Sequence, residues 1–478
     1  MVRYLRRITV IFILMGLISL TIIQSCSVSR QTSQYKYNVT VYTRGCTGTI
    51  ETCWVLSLPI KHYYEPIVVD FLEGDFPEII VSSNDTIFVI NMSGFLIDNY
   101  TFGCEIADII KLYNTNDTMV FLKNGTVLCL HDGLIDVLGN LNYFPIVSTV
   151  SFNFTSSVVA TMLSNMTFIL MNETLQSVVR IRLEENISSN LCIFYLNNSP
   201  YIAFALENGT LLAISATGDI VWRNRLHQTI SYILSVDMER DSFDELIVAG
   251  GNIVYTIDGQ DGRILKDIYI GDNVSSVVVY DRDMDARYDI LVATSNDIRI
   301  FESSGNNYTL NFYGYPNHIL LADVDGDILN ELIIDRVSEV LEYYPRSKLS
   351  INQEFSDDIS LAYEFEAPCQ QVVIYEHEEI GVFMITITEL GKLYFIKINT
   401  TATNSYWLGD YGGQETGRQS SIHSIDKDYD MLSNSYEATS NYDASNYDMD
   451  GDTIWDCWEL YYGLDPLNNS DAVMDLDM

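Results

Sequence analysis

Basic side chains are scarce in this sequence. Its 478 residues include 26 Lys and Arg against 65 Asp and Glu, a net charge of −39. So acidic a chain argues against nonspecific nucleic-acid binding, because phosphate backbones need Lys and Arg, and makes cations the natural partners. Histidine is thin as well. The six, His62, His131, His227, His318, His377 and His423, form no His-Glu-x-x-His pair, and neither Gly-x-Ser-x-Gly nor a Gly-x-x-x-x-Gly-Lys phosphate loop occurs. Eight cysteines, at 26, 46, 53, 104, 129, 192, 369 and 457, contain no Cys-x-x-Cys and no zinc-like spacing. No cofactor other than a metal ion is indicated. A catalytic site assembled from several distant segments would leave no such signature, so these absences do not remove enzyme activity.

Acidic loops are what the chain has in quantity. Asp237, Glu239, Asp241 and Glu245 stand at positions 1, 3, 5 and 9 of one stretch. Asp281, Asp283, Asp285 and Asp289 repeat that register, and Asp323, Asp325, Asp327 and Glu331 repeat it again. Each loop runs straight into a β-type apolar segment such as Ile290-Leu-Val-Ala293. Alternating carboxylates in a tight loop converge on one point, and several hard oxygens about 2.4 Å from that point describe a calcium site. The bland alternative is that Asp suits turns, where its side chain accepts from nearby backbone N–H groups.

The intervals carry the architecture. Asp237 to Asp281 is 44 residues and Asp281 to Asp323 is 42, a period of solenoids and propeller blades. Counting back reaches Asp70, whose loop keeps an acid at position 9, Glu78, but has Leu72 and Gly74 at positions 3 and 5. Apolar stretches near 107–130, 148–170 and 191–214 fill the gap as lapsed repeats, and 371–398 follows the last loop. Runs apolar on both faces are buried on both faces. Blades stacked in a ring achieve that, whereas a flat sheet of about thirty strands is unstable. The expected fold is all-β: a seven- or eight-bladed β-propeller over residues 35–418, eight favoured, with a C-terminal calcium-loop tail. Each unit reads as strand, acidic loop, strand, turn and third strand. An early strand, Tyr35–Tyr42, is placed to complete the last blade by pairing Val39 and Val41 near Phe395.

These units resemble the FG-GAP or VCBS repeats of calcium-binding β-propellers such as integrin alpha heads, over residues 67–398. The resemblance implies that the acids at positions 1, 3, 5 and 9 of the three loops hold Ca2+ together with the carbonyls of Phe243, Arg287 and Leu329. Asp289 is then the best ninth ligand. Glu245 and Glu331, one methylene longer, are expected to turn outward. Trp407-Leu-Gly-Asp410-Tyr-Gly412, continuing to Thr416-Gly417, resembles a signature beside quinoprotein-like propellers and reads as a blade-edge segment.

Residues 419–447 read as a polar linker rich in Ser, Asn, Asp and Tyr. The tail, 448–478, is the second calcium candidate. Asp448, Asp450, Asp452, Asp456 and Glu459 occupy positions 1, 3, 5, 9 and 12, the ligand set of an EF-hand loop, with the Ile454 carbonyl at position 7. Glycine falls at position 4, Gly451, so the loop resembles thrombospondin type 3 repeats, and Tyr461-Tyr-Gly-Leu-Asp-Pro466 resembles their linker. Asp475-Leu-Asp477 begins a further loop, completed by a partner chain or cut short by truncation.

Arg3, Arg6 and Arg7 followed by the apolar run 8–23 have the order of an export signal. Residues 1–26 are therefore a signal peptide or an N-terminal signal anchor, and Ile23-Gln-Ser-Cys26 resembles a lipobox. Cys46 and Cys53 flank a six-residue loop that an exported protein can close as a disulfide. Sixteen Asn-x-Ser/Thr sequons, twelve of them before residue 210, exceed the roughly five expected by chance and favour a glycoprotein. The expectation is an extracellular or cell-surface binding, adhesion or scaffold module. Its partners would be a surface protein or glycan and no nucleic acid, and it would touch a membrane only through an uncleaved leader. The alternative is a secreted polysaccharide lyase or hydrolase with its site on the propeller face.

Overall fold

The computed structural model describes residues 29–30, 50–58, 66–398 and 426–471, apart from short internal segments that include 282–286, 323–330 and 353–360. Among these residues the strands fall into eight antiparallel sheets. Six sheets are each built from four consecutive strands, as in Val274–Tyr280, Asp289–Thr294, Asp297–Phe301 and Asn307–Asn311. The lapsed repeats form sheets too, beginning at Ile106, Ile146 and Cys192. Second strands such as Glu245–Gly250 and Asp289–Thr294 are buried at every position, as their continuous apolar runs require.

Fourth strands are different in kind. Ile264–Tyr269 and Asn307–Asn311 are mostly exposed, and they lack a continuous apolar run, which is why three strands per unit are legible in the sequence and the fourth is not.

Closure comes from the other end of the chain. Ile50–Ser57 pairs antiparallel with Lys392–Ile398 and forms the fourth strand of the last sheet. Trp54 lies opposite Phe395, their rings stacked at 5.1 Å, while Ile385 holds the other side of Phe395. This corrects the expected pairing of Val39 and Val41 beside Phe395, since both flanks of that residue are taken; residues 35–42 lie outside the described residues. Adjacent sheets share cores all the way round. One cluster joins the first sheet, through Val68 and Ile79, to the last, through Ile385, and to the one before, through Leu320 and Ile333. The circuit of sheets therefore closes on itself, and the fold is a β-propeller.

A repeated contact locks the blades together. Gly94, Gly218 and Gly262 sit at positive φ in the hairpin before a fourth strand, and each is pressed by a side chain from the preceding sheet's fourth strand: Trp54, Val179 and Trp222. The indole N–H groups of Trp54 and Trp222 donate to the carbonyls of Met92 and Gly259 in those same hairpins, at 2.8 and 2.7 Å.

The segment 426–447, expected to be a polar linker, is folded. It contains helix α1, Asn434–Ser440, and the tail contains α2, Asp456–Tyr462. Tyr429, Met431, Leu432, Trp455, Cys457 and Trp458 are buried in the core cluster that also holds Val279, Ile290 and Leu321. Apolar residues spaced among the acids, rather than a periodic run, make this docking face, so composition alone hides it. No helix among the described residues is long and apolar enough to cross a membrane; the apolar run 8–23 and Cys26 lie outside them, as do Trp407–Gly417 and Cys46. Cys53 is half-buried against the core beside Trp54.

Candidate metal centre

The blade loops come first. In 237–245 the carboxylates bond their own backbone: Asp237 accepts from the N–H groups of Asp241 and Ser242 at 3.0 and 2.7 Å, and Asp241 accepts from Phe243 at 3.0 Å. Glu245 accepts from Met238 N–H at 2.9 Å and is buried, so it turns inward, not outward as its length suggested. Glu78 does the same in the loop after Asp70, accepting from Phe71 and Leu72. In both loops where it is described, the ninth-position Glu thus clamps the second residue of its own loop. Burial, with Asp237 and Asp241 alongside, pushes Glu245 up to about 8. Asp237, Glu239, Asp241 and Glu245 are not drawn into one compact group of ligand atoms. In the second loop Asp281 and Asp289 are buried and Asp289 accepts from Ser303 N–H at 2.9 Å. Asp283, Asp285, Asp323, Asp325 and Asp327 lie outside the described residues, as does the side chain of Glu331.

The tail gathers its acids. Asp450, Asp452, Glu459 and Asp471 each offer an oxygen, and the four oxygens lie within 4.8 Å of one another. One oxygen of Asp450 accepts from Asp452 N–H and one of Asp452 from Ile454 N–H, at 3.1 and 2.8 Å. Their second oxygens are buried without a hydrogen-bond partner among the described residues, as are both oxygens of Glu459 and one of Asp471. A buried carboxylate oxygen with no donor is costly unless a cation satisfies it. Hard oxygens at this spacing suit calcium. Burial, followed by the charges of Asp450 and Asp452, pushes Glu459 up to about 8.

Of the five acids expected in this loop, three enter the gathered set and two build its frame. Asp448 accepts from Gly451, Asp452 and Thr453, which leaves its oxygens facing the loop backbone. Asp456 accepts from Met449 N–H at 2.9 Å, and burial pushes it up to about 6. Asp471 was not foreseen. It lies beyond the Asp465-Pro466 turn, where it accepts from Asp465 N–H at 3.0 Å, and no twelve-residue template reaches that far.

A second group, Asp426, Asp428 and Asp430, also brings three ligand oxygens within 4.8 Å. It falls in the stretch read as linker. Its signal was available: Asp426, Asp428, Asp430 and Glu437 stand at positions 1, 3, 5 and 12, masked by Tyr429 and Asn434 where glycine and aspartate stand in the later loop.

The fold and this loop-and-helix tail define a β-propeller carrying acidic, oxygen-rich pockets on a docked C-terminal segment. No protein-family model matches the chain, and no curated protein matches it. Solved structures do. Sqt1 of Saccharomyces cerevisiae is 10% identical over 71% of this chain and 98% of its own, with a TM-score of 0.53. The C-terminal WD40 domain of Sif2 is 11% identical over 74% of this chain and 99% of its own, at 0.50. The computationally designed Ika8 protein is 13% identical over 72% and 98%, also at 0.50. At such identities the likeness is one of fold: the propeller.

Proposed function

We propose that this chain is an exported, calcium-binding β-propeller that works as a binding or scaffold module at the cell surface, presenting its ring to a surface protein or a glycan. The observation that carries the calcium reading is the buried, donorless set at Asp450, Asp452, Glu459 and Asp471. Calcium would supply positive charge and oxygen coordination there; the residues' own part is to fix the loop so that four carboxylates face inward. The three blade loops are read the same way, and in the first of them Glu245 clamps the loop through Met238 N–H. The closed ring supports the binding reading, because a rigid face loses little entropy on engaging a partner. The arginine-flanked apolar leader supports export, and the sequon excess supports a glycosylated surface.

The test is thermal melting of the whole protein in calcium and in a chelator. A ligand held by the folded state alone raises stability by mass action, about 2.7 kcal/mol at a hundredfold excess over Kd. Equal melting temperatures in both buffers would defeat the calcium reading.

A further inference from the structure

The two acidic loops of the tail share one backbone framework. Four backbone contacts of the loop at 448–459 recur 22 residues earlier. Asp426 accepts from Tyr429 and Met431 N–H at 2.6 and 2.9 Å, as Asp448 does from Gly451 and Thr453 at 2.7 and 2.9 Å. Asp430 accepts from Leu432 as Asp452 does from Ile454, and Asn434 from Lys427 as Asp456 does from Met449. The left-handed residues keep the same step: Tyr429 and Gly451, Met431 and Thr453, Asn441 and Gly463. Helices α1 and α2 follow at the same offset, with Glu437 and Glu459 at the same position in each.

A loop repeated in shape does not by itself make a site. Here the side chains add independent information. Glu437 and Asp430 are 0% exposed. Both oxygens of Glu437 and the second oxygen of Asp430 have no hydrogen-bond partner among the described residues. Asp430 points into the cluster itself, since one of its oxygens lies within 4.8 Å of those from Asp426 and Asp428.

The copies differ at one informative place. Where the later loop has Gly451, the earlier has Tyr429, at φ 64°, a region costly for a bulky residue. What holds Tyr429 there is the propeller. Its hydroxyl donates to Asp244 at 2.7 Å, its ring meets Tyr288 edge-on, and its carbonyl accepts from Arg240 at 2.9 Å. Arg240 in turn lies over the Trp455 ring at 3.5 Å, which ties in the second loop.

The geometry points to a second divalent-cation site at Asp426, Asp428, Asp430 and Glu437, whose ion fastens the tail to the propeller by holding Tyr429 against Asp244 and Arg240. The inference rests on the reading that the tail's carboxylates take calcium. It adds that one of the two ions works as a clasp on the blade loop 237–245. Without the ion nothing offsets the crowding of these acids, so the loop opens and the Tyr429 contacts go with it.

Two measurements on the full chain test it. Calcium chloride is titrated calorimetrically into wild type, the Asp430→Asn/Glu437→Gln double variant and Glu459→Gln. The double variant should bind one ion fewer than wild type and keep the ion of the later loop, while Glu459→Gln should lose that other ion. A double variant with wild-type stoichiometry overturns the second site. An unchanged Glu459→Gln overturns the later-loop site instead, so the two failures are distinguishable. Hydrogen exchange on wild type, which needs no variant, tests the clasp. Chelation should cut protection at 240–245 and 427–432 at least tenfold while strand 118–122, on a different blade, is unaffected. Unchanged protection at 240–245 overturns the clasp.

Discussion

Carboxylate oxygens in this chain do one of two jobs, and the division follows from which of them meet a donor. Asp448, Asp237 and Glu245 turn oxygens to backbone N–H groups and shape a loop. Glu459 and Asp450 keep buried oxygens without donors. The second job has a reversed sign in the absence of an ion. Glu459→Gln removes a buried acid that must take up a proton on folding, so in chelator at neutral pH it should raise the melting temperature, whereas in saturating calcium it should lower it and weaken calcium binding by more than about tenfold, about 1.4 kcal/mol. Scanning calorimetry in the two buffers checks this; a shift of one sign in both would remove Glu459 from the site. Asparagine also plays two parts. In Asn124-Gly-Thr126 and Asn208-Gly-Thr210 the amide oxygen accepts from the threonine N–H two residues on, at 2.9 Å in each case, and Asn91 and Asn172 do likewise. Sequon spacing is also Asx-turn spacing, so hairpin chemistry accounts for some of the excess that the sequence presents as a glycosylation signal.

Strands and hairpins show how neighbouring blades recognise each other. The fourth strand of one sheet sends Trp54 or Trp222 onto the hairpin glycine of the next. At Gly262 an added Cβ would lie 2.5 Å from the Trp222 ring, at a φ of 74°. Gly262→Ala should therefore destabilise the protein by about 1 kcal/mol or more, from the strained φ and the displaced indole together. Denaturant melts followed by tryptophan fluorescence would show it, and a neutral effect would mean that the indole moves freely. Trp54 has the added duty of closing the ring. Trp54→Ala removes its stacking on Phe395 and the bond to Met92, and a loss of about 3–5 kcal/mol is expected. A loss under about 1 kcal/mol would say that backbone pairing of 50–57 with 392–398 closes the ring unaided.

At the scale of the molecule, charge and shape act together. Glu437 and Glu459, pushed up to about 9 and about 8 chiefly by burial, and Asp244, up to about 7, hold protons in the folded state that the unfolded chain has already released. The folded protein then binds more protons across the window from about 4.5 to about 9, so stability falls as pH rises through it. In chelator the melting temperature should drop between pH 5 and pH 8; on the proposed reading, in which calcium takes the deprotonated carboxylates, the drop should shrink in saturating calcium. Circular-dichroism melts across that range decide it, and a level profile in chelator would contradict the buried like-charge clusters.

The ring was legible before any coordinates because a period of 42–44 residues and apolar runs buried on both faces leave few other solutions. Asp450, Asp452 and Glu459 were legible for a similar reason: their spacing is local, and local spacing sets which way a tight loop turns its side chains. Tertiary structure decided everything that joins distant segments. It chose Ile50–Ser57 as the closing strand, brought Asp471 to the loop from beyond a turn, and set Tyr429 on Asp244, 185 residues away. None of these pairings has a periodicity to read, since each depends on the shape left when the other blades have packed.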